Sequence, residues 1–125
     1  MKLSIPSGSA PGLVINGERI SDEALEKNAM NIGKNKPVQR MAIGQLGPLS
    51  YLILACEGPE SKDPSKGFTL EQIANLCLEM GCINAYNLDG GSSTSIVLNY
   101  QKINSPSNRK KRSIGDIIYF ATLVP

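Results

Sequence analysis

The stretch 69–81 constrains the fold more than any other part of this 125-residue chain. Thr69 precedes an apolar stripe of Leu70, Ile73, Ala74, Cys77 and Met80, spaced to fall on one face of a helix. Gln72 follows Thr69 at capping-box spacing, and Gly81 stands where a helix can end in the left-handed conformation. A helix with one apolar face must bury it against another element. Most of the remaining patterned sequence reads as strand, so the partner is a sheet.

Leu13-Val14-Ile15, Asn16-Gly17 and Glu18-Arg19-Ile20 make a hairpin signal, because Asn-Gly suits a type I′ turn. Ser21 or Asp22 can cap a short helix reaching about Met30. Residues 38–45 and 49–57 read as two strands joined tightly at Gly47-Pro48, and hence antiparallel. Residues 58–67 have the composition of a loop. Further strands are expected over 82–88, 95–100 and 114–123. The expectation is an α+β fold: a mixed, mostly antiparallel sheet with one main helix, about 69–81, packed on it. With no internal repeat or linker, residues 1–125 read as one domain.

Composition removes several kinds of chemistry. Histidine is absent, so catalytic triads with an imidazole, histidine general bases and imidazole metal sites are excluded. Thirteen basic and eleven acidic residues leave a formal charge of +2. That balance gives no strongly basic face for a nucleic-acid polymer. With no Trp and two Phe, a base-stacking platform is not expected either. Cys56, Cys77 and Cys82 are too few for a four-cysteine zinc site and odd in number for a disulfide framework, so they read as buried free thiols. No metal or other cofactor is expected. No apolar run approaches the roughly 18 residues of a membrane span. The N-terminal apolar stretch is too short for a signal peptide, so either the protein acts inside the cell, a cytoplasmic location being favoured, or this chain lacks an export segment.

The sharpest chemical feature is Asn87-Leu88-Asp89-Gly90-Gly91-Ser92-Ser93-Thr94. Two glycines allow positive φ and close approach of a ligand to the backbone. Successive N–H groups in such a turn can cradle an anion, and the hydroxyls of Ser92, Ser93 and Thr94 can bond phosphate or sugar oxygens. Asp89 adds a carboxylate at the strand end. The same residues also suit a plain Asp-Gly-Gly turn leading into an exposed strand. Arg40, at the head of an apolar strand, can either run its stem along the surface or fork onto a phosphate. Arg112 ends the basic run 109–112 and abuts the last strand, while Glu57 ends another strand beside Gly58.

Together these residues resemble the phosphodiester glycosidase family. The likeness runs from about residue 11 to the end. It rests on Arg40-Met41-Ala42-Ile43-Gly44, Gly67-Phe68-Thr69-Leu70, the Asp89 block, and Asn104-Ser105-Pro106-Ser107 followed by Arg112. Where the family usually reads Asp-Gly-Arg after the second hairpin, this chain has Glu57-Gly58-Pro59. The resemblance implies hydrolysis of a sugar-1-phosphodiester, with Asp89 and Glu57 as candidate catalytic carboxylates. It also implies ligand binding by Arg40, Gly90, Gly91, Ser92, Ser93, Thr94, Asn104 and Arg112. The alternative is a protein that sequesters a phosphorylated sugar or a nucleotide, cyclic ones included, without cleaving it. Either way the partner is a small phosphorylated molecule.

The family's usual upstream segment has no counterpart here, so a sheet edge or core face is expected to lie uncovered and to be closed by a second copy. A dimer or higher oligomer is the expected solution state. A light-scattering mass of one 13.4 kDa chain at micromolar concentration contradicts it.

Overall fold

A computed structural model describes residues 12–28, 36–58, 67–104, 113–114, 117–121 and 123. The elements run β1 (Gly12–Ile15), β2 (Glu18–Arg19), α1 (Asp22–Asn28), β3 (Arg40–Gly47), β4 (Ser50–Cys56), α2 (Leu70–Glu79), β5 (Asn84–Leu88), β6 (Val97–Leu98) and β7 (Gln101–Lys102). A short 3₁₀ turn, Gly91–Ser93, follows β5. Five strands form one sheet in the order β2-β1-β5-β3-β4, and β6 and β7 make a separate two-stranded ribbon. Every described strand pairing is antiparallel. The α+β reading stands.

Local signals account for the elements that formed as expected. Asn16 and Gly17 take φ of 51° and 78°, which closes the β1–β2 hairpin. The Ser21 Oγ accepts from the Ala24 amide at 3.2 Å and caps α1. The capping box of α2 is complete: the Thr69 hydroxyl accepts from the Gln72 amide at 3.1 Å, and the Gln72 side chain accepts from the Thr69 amide at 2.9 Å. Leu49 takes φ 57° in the β3–β4 turn, after Pro48.

Helix α2 buries Leu70, Ile73, Ala74 and Cys77 against the sheet. Leu13, Val14, Leu25, Ala42, Cys82 and Ala85 complete the core, with Ile20, Leu52, Leu54 and Phe68 packed around it. Met80 belongs to the stripe by spacing, yet it caps the helix and lies half exposed, because the last turn runs past the sheet. Cys82 packs tightly against β3: a Cβ on Gly44 would stand 2.4 Å from the Cys82 sulfur. The Cys77 thiol is pushed up to about 12, first by burial and then by the neighbouring Cys82.

Two expected strands come out differently. Residues 95–100 do not run as one strand; Asn99 and Tyr100 turn the chain with φ of 50° and 64° and make the β6–β7 hairpin. The apolar run over 114–123 forms no strand among its described residues, and Ile117, Tyr119 and Leu123 are exposed. Apolar and β-branched residues make a segment fit for a sheet, but a strand exists only where a neighbour takes up its N–H and C=O groups. No helix among the described residues is long and apolar enough to cross a membrane.

Cys56, Cys77 and Cys82 are free thiols, Cys56 half-buried and the other two buried. The expectation for Cys77 therefore holds, and that for Cys56 holds in part. Gly44→Ala should destabilise the protein by about 1–3 kcal/mol, the usual cost of forcing a methyl into a packed core. Cys82→Ala in the same chain should return part of that loss, and urea titration of the four members of the cycle measures the coupling. Additive costs contradict the contact.

Candidate active site at the head of strand three

The register brings the singled-out residues to one end of the sheet. Arg40 pairs with Cys56 on β4, and Met41 pairs with Leu88 on β5. Asp89 therefore leaves the sheet on one side of β3 and Glu57 on the other, both at the Arg40 end. Two glycines fasten these exits to the residue before β3. A Cβ on Gly58 would stand 2.9 Å from the Gln39 amide nitrogen, and one on Gly90 would stand 2.6 Å from the Gln39 carbonyl oxygen. The Gly91 amide donates to that same carbonyl at 3.0 Å. Neither glycine can carry a side chain without moving β3 or its own strand.

Arg40 is 2% exposed, so its stem does not run along the surface. Its Nε donates to the Phe68 carbonyl at 3.0 Å and its Nη2 to the Lys36 carbonyl at 3.1 Å. Val38 and Phe68 also exchange backbone hydrogen bonds of 3.2 and 3.1 Å. The guanidinium thus ties the approach to β3 to the entry of α2. Burial lowers the Arg40 pKa from its ordinary value, with Cys56 acting in the opposite direction. An arginine stays charged through such a shift. The Arg40 amide donates to the Cys56 sulfur at 3.1 Å, and that thiol faces the Val38 carbonyl at 3.6 Å. Burial pushes the Cys56 thiol up, against hydrogen bonds from the backbone of Arg40 and Phe68 and the Arg40 charge.

The Asp89 block folds as a turn. Gly91 takes φ 59°, the Ser93 amide donates to the Gly90 carbonyl at 3.1 Å, and the Thr94 amide donates to the Gly91 carbonyl at 3.2 Å. The amides of Gly91, Ser93 and Thr94 are thus committed within the protein, which corrects the idea that Gly91 offers its N–H to an anion. Asp89 is exposed, Glu57 and Ser93 are half-buried, and Thr94 is fully buried. Ser92 lies in the 3₁₀ turn. Asn104 is a brace: its Oδ1 accepts from the Ile96 amide at 2.7 Å and its Nδ2 donates to the Thr94 carbonyl at 2.9 Å. Arg112 lies outside the described residues.

Three side-chain oxygens here are covered and have no hydrogen-bond partner among the described residues: Asn87 Oδ1, Ser93 Oγ and Thr94 Oγ1. Asn87 was not among the residues expected in the site. It is 4% exposed and donates through Nδ2 to the Leu88 carbonyl at 2.8 Å. The signal is an amide side chain two residues before Asp89, in a strand that also carries Asn84; only the pairing of Asn87 with Ala42 places it on the same sheet face as Arg40.

Comparison with known proteins agrees with this architecture. The sequence model of the phosphodiester glycosidase family matches residues 2–121. A SPbeta prophage-derived uncharacterized protein, YomE of Bacillus subtilis, is 34% identical over 79 residues, which make up 63% of this chain and 12% of that protein. The catalytic domain of zebrafish N-acetylglucosamine-1-phosphodiester alpha-N-acetylglucosaminidase, solved auto-inhibited by its pro-peptide, has a TM-score of 0.63 at 24% identity. The match covers 80% of this chain and 35% of that one. A hypothetical protein from Synechocystis has a TM-score of 0.58 at 26% identity, over 77% of this chain and 17% of the other. The chain thus spans well under half the length of each of these relatives.

Replacing Arg40 should cost stability. Arg40→Ala removes the side-chain donor of the Lys36 carbonyl and one of the two donors of the Phe68 carbonyl, which keeps the Val38 amide. A loss of about 1–3 kcal/mol in urea unfolding is expected, the usual cost of breaking a buried hydrogen-bonded group. Arg40→Lys should recover little of it, since one ammonium cannot reproduce the fork. A loss below about 0.5 kcal/mol for Arg40→Ala contradicts the bracing role.

Proposed function

Since the chain belongs to the phosphodiester glycosidase family, we propose that it hydrolyses a sugar-1-phosphodiester, cleaving the bond between the anomeric carbon and its oxygen. The observation that carries this reading is the convergence of Asp89, Glu57 and Arg40 at one end of the sheet, from separate stretches of chain. Water adds to the anomeric carbon; the sugar leaves with a free hydroxyl and the other product is a phosphate monoester. The bond breaks with its electron pair passing to the phosphate oxygen, and one proton from water is released. A phosphate monoester is a good leaving group, so little general-acid assistance is required. The sugar ring gains oxocarbenium character, which a carboxylate can stabilise or attack.

Asp89 is the first candidate for that carboxylate because it is exposed at the mouth of the turn. Glu57, on the far side of β3, is the second. Arg40 holds the frame between them. The family resemblance adds Gly90, Ser92, Ser93 and Thr94 as binding residues of this reading. The second reading, binding without cleavage, draws support from that same exposure of Asp89, since a solvated carboxylate gains little from a low-dielectric setting.

The deciding experiment offers the protein a panel of nucleotide-sugars and simpler sugar-1-phosphodiesters in ¹⁸O-water. Cleavage at the anomeric carbon places the label in the sugar; label in the phosphate contradicts the proposed bond. Asp89→Asn should lower turnover by at least about 10²-fold, the scale of a well-placed catalytic proton or charge, while calorimetry shows affinity retained. If the wild type binds a phosphorylated sugar and yields no product, and Asp89→Asn alters affinity alone, the binding reading takes its place.

A further inference from the structure

The Asn87 side chain has its amide and its oxygen in different situations. Nδ2 donates to the Leu88 carbonyl at 2.8 Å. A carbonyl can only accept, so this bond fixes which way the amide points. Oδ1 is then an acceptor with nothing to accept from, in a residue 4% exposed. Burying such a group unpaired costs about 1–3 kcal/mol, so a native structure supplies a partner. That partner must carry an O–H or N–H group. A phosphate diester carries none, since all its oxygens only accept. Thr94 Oγ1, in a fully buried residue, and Ser93 Oγ are in the same state a few residues along. Hydroxyls can donate or accept, so they place no such demand; Asn87 does.

We propose that Asn87 Oδ1 accepts a hydrogen bond from a hydroxyl of the sugar moiety of the ligand, and so reads the sugar end rather than the phosphate end. This rests on the proposed reading of the site as one for a phosphorylated sugar. Asn87 lies on the sheet face that carries Arg40, beside Ala42, one step before the chain reaches Leu88 and Asp89. Asn87 is a binding residue in this assignment and takes no part in bond cleavage. Its donor arrives with the ligand or is a single trapped water, and the test separates the two.

The side-chain amide resonances of Asn87 are followed by nitrogen-15 NMR in the wild-type protein while glucose, glucose 1-phosphate or inorganic phosphate is added. Movement with glucose and glucose 1-phosphate, but not with phosphate, is the expected result. Asn87→Leu keeps the branched outline of the side chain and removes the acceptor, together with the Nδ2 bond to Leu88. It should weaken glucose 1-phosphate at least about tenfold while leaving phosphate affinity unchanged. Should that variant not fold, the wild-type titration decides. No movement with either sugar, movement with phosphate alone, or a crystallographic water that keeps its bond to Oδ1 with sugar bound overturns the proposal. Response of Asn87 to sugar without any hydrolysis sustains it and removes the enzyme reading. Hydrolysis lost in Asp89→Asn, with Asn87 unmoved and KM unchanged in Asn87→Leu, removes the proposal and leaves the enzyme reading in place.

Discussion

The Gln39 backbone is the point on which two parts of the chain close, at Gly58 and at Gly90-Gly91. Gly58 comes up against its amide, Gly90 against its carbonyl, and the Gly91 N–H bonds that carbonyl at 3.0 Å. Antiparallel pairing alone would bring the ends of β4 and β5 near the start of β3. It would not hold the segments that follow, because a strand exit is free to diverge once the ladder stops. The absence of a Cβ at Gly58 and Gly90 lets the exits close on β3 at backbone distance. Arg40 then secures the other side, spanning from the sheet to the carbonyls of Lys36 and Phe68. The Glu57 and Asp89 positions are consequences of this arrangement.

The arrangement also divides the polar groups by task. The amides of Gly91, Ser93 and Thr94, the guanidinium of Arg40 and the side chain of Asn104 are engaged with backbone partners. They build the turn and its surroundings. Asp89 stays exposed, and the side-chain oxygens of Asn87, Ser93 and Thr94 stay unpartnered. The first group fixes the frame, and the second is the set of groups whose bonding the frame leaves open.

Much of the architecture was legible because it follows from short-range chemistry. Thr69, Gln72 and Gly81 mark a helix by capping, and its apolar stripe names the buried face at Leu70, Ile73, Ala74 and Cys77. Asn16-Gly17 marks a hairpin by its tolerance of positive φ. Residues 95–100 and 114–123 were harder to read. The apolar and β-branched residues there signal strand, yet whether such a segment pairs, turns or stays single depends on which neighbour is present, and no local pattern carries that information.

The site follows the same division. By itself the sequence determined the chemical stock: no imidazole, carboxylates at Asp89 and Glu57, an arginine at the head of a strand, and a glycine pair followed by hydroxyls. It also carried the family resemblance that the match over residues 2–121 bears out. Only tertiary structure decided which groups are engaged internally. The burial of Arg40, the commitment of the Gly91 amide to Gln39, the bracing by Asn104 and the unpaired oxygen of Asn87 all arise across long sequence separations. Hydrogen-bond satisfaction is a property of the folded environment, because each group's partner is supplied by whichever segment the topology brings beside it.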